Sequence, residues 1–171
     1  MNGIEVLEKA YTNDGAYLLS VCRRYVCDAA TAQDMLQDGF VSAYTNFDKF
    51  RDRGPGSLKA WLSKIMVNTC LMYLRKKDPV RGAEDISAVS FKTTSDEALA
   101  SGIAGVRDED LYKMILELPD AERTVLNLFV FERLSHREIA RALGINESTS
   151  AMRLYRAKAR LAEMIKNYER E

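Results

Sequence analysis

Residues 134–161 read LSHREIARALGINESTSAMRLYRAKARL, and this stretch predicts two helices joined by a tight turn. Ser135 and Glu138 are spaced as a capping box, which begins a helix sharply. Gly144 falls where that helix must end and the backbone needs a positive φ. Asn146 is placed to cap the next helix. The stretch therefore has the pattern of a helix-turn-helix, whose second helix normally lies in the DNA major groove.

The second helix of this hairpin is predicted to bury one stripe and to present basic residues on another. An ordinary helical hairpin in a hydrophobic core is the alternative. Arginine can bond a guanine edge with two donors or clamp a phosphate, and hydroxyls beside a helix N-terminus suit a phosphate. Lys158 is expected to touch the DNA backbone or to be merely solvated. The residues predicted to contact duplex DNA are Ser148, Thr149, Met152, Arg153, Arg156 and Lys158.

Charge is balanced overall but unevenly distributed, with 25 basic and 25 acidic side chains in 171 residues. Zero net charge argues against a protein that coats nucleic acid without sequence preference. Residues 1–77 carry 11 basic and 8 acidic side chains, whereas residues 78–108 carry 3 and 6. Residues 147–166 carry 5 basic and 2 acidic ones. Positive charge is therefore concentrated on particular helices, with an acidic segment between them.

Several classes of protein are disfavoured by the sequence. No apolar run approaches the roughly 20 residues that span a bilayer, and the first residues lack a signal-peptide pattern. We therefore expect a cytoplasmic protein that does not span a membrane. Cys22, Cys27 and Cys70 lie in helical patterns and are predicted to be buried thiols. With one histidine and neither a paired-carboxylate nor an HExxH pattern, we expect no catalytic residue, no metal and no cofactor.

Helical periodicity runs through nearly the whole chain and predicts an all-α fold. In the third predicted helix, Phe40 and Tyr44 belong to the apolar stripe that we expect to face inward. A Gly- and Pro-containing loop is predicted at residues 51–56. The four helices predicted for the first half lie near residues 4–11, 16–27, 31–50 and 58–75.

The middle of the chain is predicted to separate two small domains. Residues 79–107 are rich in Ser, Thr, Ala, Gly and acidic side chains, and poor in large apolar ones. This composition predicts a flexible acidic linker, with a helical turn near residues 95–99. We therefore expect helical domains at residues 1–78 and 108–171.

The predicted loop at residues 51–56 adjoins a helix that mixes basic and aromatic side chains. Such a mixture can hold an unstacked base in a pocket and grip a single strand of nucleic acid. Core packing is the alternative for the aromatic residues, and for Phe47 and Trp61 we favour the core.

Two segments resemble sigma factors of the extracytoplasmic-function (ECF, group 4) type, in the sigma-70 superfamily. Residues 32–50 and 57–77 resemble region 2, with its D-x-x-Q-[DE]-x-F helix and its AWL-x-x-I-x-x-N helix. Residues 118–161 resemble region 4, with its LP-x-x-x-R-x-V opening and its LS-x-x-EIA-x-x-LGI core. Many regulators share the helix-turn-helix, so the region 2 pattern makes the resemblance specific.

The resemblance implies a protein that binds core RNA polymerase and directs promoter-specific transcription initiation. In the family, the region 2 helix docks on the β′ clamp helices, and the matching polar positions are Asp34, Gln37 and Asp38. These three residues are spaced at i, i+3 and i+4, so they share one helix face. Region 4 of family members binds the polymerase β flap, and an anti-sigma factor holds many members inactive.

The resemblance also assigns two promoter elements. The loop after the docking helix is the family's reader of the −10 element, where it traps a flipped base and helps to melt the duplex. The region 4 hairpin reads the −35 element, so the duplex contacts predicted above belong to that element. The residues assigned to the −10 element are Arg51, Arg53, Lys64, Asn68, Arg75, Lys76 and Lys77.

The reading helix departs from the family pattern at two positions. Family members often have Lys or Arg at the position of Ala151, and an apolar residue at the position of Ser150. We therefore expect Met152, Arg153 and Arg156 to carry more of the −35 contacts. Apolar contact of Ala151 or Met152 with a thymine methyl is a further expectation.

Three other classes of protein remain open from the residues alone. A stand-alone helix-turn-helix regulator would bind specific DNA without polymerase. A recombinase or nuclease accessory protein would need a catalytic Ser or Tyr with clustered arginines, which the first half lacks. An adaptor or decoy that binds only proteins would keep the apolar faces without the basic ones.

Overall fold

The computed structural model describes residues 2–77 and 96–170, and all regular structure in these ranges is helical. Contacts divide the chain into two compact units, Met1–Asp78 and Pro79–Glu171. The predicted all-α fold of two helical domains is confirmed. Within the described ranges, no helix has both the length and the apolar character needed to cross a bilayer. The helices are α1 (Gly3–Tyr25), α2 (Ala29–Thr45), α3 (Ser57–Lys77), α4 (Asp96–Ala104), α5 (Asp108–Glu117), α6 (Asp120–Val130), α7 (His136–Leu143) and α8 (Glu147–Glu169).

In the first unit, α1, α2 and α3 pack around a single core. Asn2 caps α1 by accepting a hydrogen bond from the Ile4 N–H at 3.3 Å. Asp28 caps α2 by accepting from the Thr31 hydroxyl at 2.6 Å and from its N–H at 2.9 Å. These two bonds hold the pKa of Asp28 below its usual value. The fully enclosed core side chains include Leu18, Tyr25, Leu62, Met66 and Leu74.

α1 is one continuous helix, so the prediction of two helices near residues 4–11 and 16–27 is wrong. Leu7 and Leu18 lie on the same buried face, which runs past Gly15 without interruption. A glycine inside a helix costs about 1 kcal/mol relative to alanine. Burying each leucine contributes about 1.5–3 kcal/mol, so packing against α2 and α3 outweighs that local cost.

α2 ends earlier than the sequence indicates, and it lies close to α3. Thr45 is its last residue, whereas the sequence predicts a helix that continues to Phe50. Phe47–Lys49 instead form a single 3-10 turn. The two helices approach closely at Gly39, where an added Cβ would overlap the thioether of Met66. The absence of a side chain at Gly39 therefore lets α2 pack directly on α3.

The three cysteines do not share one environment. Cys22 and Cys70 are buried and their thiols hydrogen-bond to one another, which together with burial raises the pKa of Cys70. The same bond lowers the pKa of Cys22. Cys27 is exposed in the connection between α1 and α2, so its prediction as a buried thiol is wrong. Among the described residues, no group of three or more His, Cys, Asp or Glu side chains is placed to hold a metal ion.

In the second unit, α8 is the central helix and contacts α4, α5, α6 and α7. α4 falls inside the segment predicted as a flexible linker, yet it packs on α8 through a close contact between Gly102 and Ile165. The ammonium of Lys158 lies 3.0 Å from Asp96, at the start of α4. Residues 96–107 therefore belong to the second unit, and the rest of the predicted linker, 79–95, lies outside the described residues.

Candidate nucleic-acid interface

The capping box and the left-handed glycine that the sequence predicts are both present in the α7–turn–α8 hairpin. The Glu138 N–H donates to Ser135 Oγ at 3.2 Å, and the Ser135 N–H donates to Glu138 Oε2 at 2.7 Å. This reciprocal bonding holds the pKa of Glu138 below its usual value. Gly144 ends α7 with φ of 67°. Asn146 occupies the cap position of α8, but its side chain makes no capping hydrogen bond.

The arginines predicted to read duplex DNA are buried. Arg153 is 1% exposed and Arg156 is 7% exposed, and Thr149 is buried beside them. α8 is enclosed on more than one side, because α6 and α7 both pack against it. The prediction that these three side chains lie on the exposed face of the reading helix is therefore wrong.

The exposed face of the first half of α8 carries no arginine. Ser148, Ala151 and Tyr155 are exposed and Met152 is half-buried. They are spaced at i, i+3, i+4 and i+7, so they form one stripe along the helix, here called the α8 face. Of these four, Ser148 and Met152 were predicted as contacts, Ala151 was considered for contact with a thymine methyl, and Tyr155 was missed. Tyr155 could have been identified from the sequence, because it lies seven residues after Ser148 and so falls on the same face of a helix.

Two exposed arginines of the hairpin lie on the preceding helix instead. Arg137 and Arg141 of α7 are exposed, and neither was predicted to contact DNA. Lys158, which was predicted to do so, is engaged with Asp96 and lies 5.9 Å from the Phe129 ring centre. Among the four arginines of residues 136–158, the two exposed ones therefore lie on α7.

The unusual serine at position 150 has a polar partner inside the hairpin. Ser150 is fully buried, and its Oγ lies 2.9 Å from His136 Nδ1 in a hydrogen bond. The His136 ring in turn stacks on Phe129 of α6, with 5.1 Å between ring centres. A buried hydroxyl without such a partner would be costly. The histidine therefore gives the buried hydroxyl of Ser150 the polar partner that it needs.

In the first unit, the loop at residues 51–56 is ordered by one carboxylate. Asp52 Oδ1 accepts from the Gly54 N–H and from the Ser57 hydroxyl, both at 2.9 Å. These bonds lower the pKa of Asp52. Gly54 and Gly56 have φ of 109° and 82°, values that disfavour any other residue. The loop therefore has a defined shape at the start of α3.

A pocket of about 300 Å³ opens beside this loop. Its wall is both aromatic and basic, because the Phe50 and Trp61 rings pack at 5.2 Å between centres and several cations surround them. Trp61 and Phe47 are only half-buried, with 6.2 Å between their ring centres, so neither is enclosed in the core as expected, and Trp61 lines the pocket. The lining residues are Lys49, Phe50, Arg51, Arg53, Ser57, Ala60, Trp61 and Lys64.

The remaining residues assigned to the −10 element are all exposed but do not form one surface. Lys64, Asn68 and Arg75 share a face of α3 that leads away from the pocket. Lys76 lines a different cleft of about 270 Å³, which it shares with Asp38 of α2. Lys77 points to the other side of α3. The structure therefore brings together Arg51, Arg53 and Lys64 at the pocket.

The face of α2 that carries Asp34, Gln37 and Asp38 is exposed, and it continues into apolar residues. Val41 is 66% exposed on this face, and Tyr44 is also exposed, so the prediction that Tyr44 faces the core is wrong. A shallow apolar groove of about 350 Å³ borders the face. It is lined by Ile4, Leu7, Glu8, Tyr11, Phe40, Val41 and Tyr44.

Comparison with protein families assigns a known region to each unit. The family description "Sigma-70 region 2" matches residues 11–80, which contain α2, the loop, the pocket and α3. The description "Sigma-70, region 4" matches residues 108–161, which contain the helix-turn-helix. A stand-alone helix-turn-helix regulator has no need of region 2, so the two matches together favour the sigma factor over that alternative.

Individual relatives agree with these matches over most of the chain. The RNA polymerase sigma factor SigV of Bacillus subtilis is 32% identical to this chain, in an alignment that covers 78% of this chain and 75% of SigV. The RNA polymerase sigma-H factor of Pseudomonas aeruginosa is 30% identical, and the alignment covers 90% of this chain and 83% of that factor. The ECF RNA polymerase sigma factor SigW of Bacillus subtilis is 27% identical, and the alignment covers 88% of this chain and 83% of SigW.

A solved structure shows the same fold. The sigma factor RpoE, crystallised with the anti-sigma factor NepR from Bartonella quintana, has a TM-score of 0.54 and 23% identity. The similarity covers 93% of this chain and 96% of that one. With both regions matched in order and relatives similar over most of their length, the chain belongs to the sigma-70 family as an ECF-type sigma factor and directs promoter-specific initiation of transcription.

Proposed function

We propose that this sigma factor binds core RNA polymerase through α2, reads the −10 element with the pocket beside residues 51–56, and reads the −35 element with α7 and α8. The observation that carries the proposal is the aromatic and basic pocket in the unit that matches region 2. A duplex-binding regulator has no use for such a pocket, whereas a protein that captures an unstacked base does.

The polymerase-binding face is assigned to Asp34, Gln37 and Asp38 on α2. All three are exposed on one side of the helix, and Val41 extends that side with an apolar contact. Interfaces commonly combine an apolar centre with a polar rim, and this face has both. We assign it to the β′ clamp helices, and the second unit to the β flap, as the family resemblance implies.

Capture of a −10 base is proposed to supply the free energy for local melting. Extruding a base costs a few kcal/mol, and stacking on an aromatic side chain returns about 1–3 kcal/mol per base. Trp61 and Phe50 offer that stacking, while Arg53 and Lys64 are placed to neutralise neighbouring phosphates. Arg51 already donates to the Asp48 and Phe50 carbonyl oxygens, so we assign it to shaping the loop.

The polymerase performs the chemistry, and we assign this chain no enzymatic step, no cofactor and a cytoplasmic place of action beside the polymerase. An anti-sigma factor is the remaining partner that we propose. The exposed apolar groove of α1 and α2 supports this, as does the complex of RpoE with the anti-sigma factor NepR.

Capture of core RNA polymerase by the purified chain, followed by run-off transcription on a genomic library, tests this proposal. We expect the chain to bind the core enzyme and to direct starts that share two sequence elements upstream. If the purified chain bound a specific duplex tightly without polymerase and failed to capture the core enzyme, the proposal would be wrong.

Removing two cations from the pocket is expected to change the salt dependence of promoter binding. The Arg53→Ala, Lys64→Ala double variant should lower the slope of log K against log salt concentration by about 0.7 for each single-strand phosphate that it no longer neutralises. The measurement is binding of the holoenzyme to a forked promoter fragment that exposes the single-stranded −10 element.

A matched control removes the same charge elsewhere in the unit. Lys9 and Arg23 are exposed on α1, so Lys9→Ala, Arg23→Ala should leave the slope unchanged. Equal slopes for the pocket variant and the wild type would show that the pocket does not contact DNA phosphates.

A further inference from the structure

We propose that the α8 face, Ser148, Ala151, Met152 and Tyr155, reads the −35 element through the methyl groups of thymines rather than through arginine contacts to guanines. This inference rests on the proposed function and specifies the chemistry by which the second unit selects its DNA. It also adds Tyr155 as a specificity-determining residue.

The first support is the burial of the two arginines in the first half of α8. Arg153 and Arg156 are enclosed within the second unit, so their guanidinium groups are not offered to a duplex placed against the exposed side of the hairpin. Bidentate bonding to guanine O6 and N7 requires an accessible, planar guanidinium. The commonest specific contact with DNA is therefore not available from the first half of α8.

The second support is the chemistry of the side chains that are exposed instead. Ala151 ends in a methyl group, Met152 in a thioether and Tyr155, 36% exposed, in a phenol. The thymine C5-methyl is the one apolar group that the bases present in the major groove. An apolar surface in that groove therefore gains from thymine and gains nothing comparable from the other bases.

The third support is geometric. Ser148 and Tyr155 are seven residues apart, so the α8 face extends about 10 Å along the helix. Consecutive base pairs are about 3.4 Å apart along the duplex, so this length matches about three base pairs. The exposed Arg137 and Arg141 of α7 are suited to the phosphates that flank this segment, where they supply affinity without reading sequence.

The test uses the holoenzyme reconstituted from the full chain and core RNA polymerase. Duplexes randomised in the −35 segment are first selected for binding, which yields the preferred sequence. Each thymine of that segment is then replaced by deoxyuridine, which keeps base pairing and removes only the methyl group. We expect binding to weaken about fourfold for each methyl group that the α8 face contacts.

Variants assign the effect to residues. In the Tyr155→Ala holoenzyme, replacing at least one thymine by deoxyuridine should no longer weaken binding. In the Arg141→Ala holoenzyme, binding to the thymine duplex and binding to the deoxyuridine duplex should fall by the same factor. A phosphate contact does not detect the methyl group. Met152→Ser provides a second variant on the same face, with the same expected loss of sensitivity.

Two results would overturn the inference. One is a selected −35 segment in which deoxyuridine has no effect while 7-deazaguanine, which lacks the N7 acceptor, abolishes binding. The other is undiminished sensitivity to deoxyuridine in both the Tyr155→Ala and the Met152→Ser holoenzymes. Failure of the chain to form a holoenzyme at all would instead contradict the proposed function itself, together with this inference.

Discussion

Replacing Arg123 with methionine is expected to lower the free energy of unfolding of the second unit by about 3 kcal/mol. Arg123 is 1% exposed, at the start of α6. Its Nη1 donates to the Leu118 carbonyl oxygen at 2.7 Å, and its Nη2 donates to Asp120 Oδ1 at 2.5 Å. The guanidinium therefore ties the end of α5 to the first turn of α6.

The size of the effect follows from what the substitution leaves behind. Leu118 is buried, so its carbonyl oxygen would lose a charged donor in a place that water does not reach. An unsatisfied buried polar group costs about 1–3 kcal/mol, and a hydrogen bond to a charged group contributes about 1.5–3 kcal/mol. Asp120 is partly exposed and can be rehydrated, which keeps the estimate near the lower end of the summed range.

Denaturant unfolding followed by far-ultraviolet circular dichroism measures this loss. Arg137→Met is the matched control, because Arg137 is exposed in the same unit and its replacement should change stability by less than about 0.5 kcal/mol. Equal stability of the two variants would show that Arg123 does not hold α5 and α6 together.

Replacing Asp34 and Gln37 together with alanine is expected to weaken binding of the chain to core RNA polymerase at least about 30-fold. A hot-spot residue at an interface contributes about 2 kcal/mol or more, and this value corresponds to that factor. Both side chains are exposed on α2, so the substitution removes contacts without disturbing the core. Alanine also favours a helix, which protects α2 from unfolding.

The measurement is a binding titration with core polymerase, accompanied by circular dichroism to verify the fold. Glu5→Ala, Asn13→Ala changes two exposed polar residues on α1 of the same unit and should bind as the wild type does. Transcription by the α2 variant should fall in parallel with binding. Unaltered binding would remove α2 from the proposed interface.

The features that could be predicted from sequence are those whose cause is local. The capping box of Ser135 and Glu138 and the left-handed Gly144 depend on a few neighbouring residues, and the structure has both. The all-α fold and the helix-turn-helix followed from the same periodicity. Asp34, Gln37 and Asp38 were correctly expected to share a helix face, because their spacing alone determines this.

What could not be predicted depends on contacts between distant segments. Whether an arginine on α8 is exposed is decided by where α6 and α7 pack, and no short pattern contains that information. Arg153 and Arg156 were therefore placed on the wrong surface. The same holds for α4, whose composition is that of a linker but whose packing on α8, with Asp96 near Lys158, makes it part of the second unit.

Gly39 has a consequence for how the α2 face can change over evolutionary time. Exposed positions on that face can drift freely as far as folding is concerned, because their side chains point into solvent. Gly39 lies on the reverse side of the same helix against Met66, and any larger residue must displace a fully enclosed thioether. Substitutions that change what α2 binds are therefore confined to its exposed positions. The contact of Gly39 with Met66 keeps α2 packed on α3, and so it keeps those exposed positions in place.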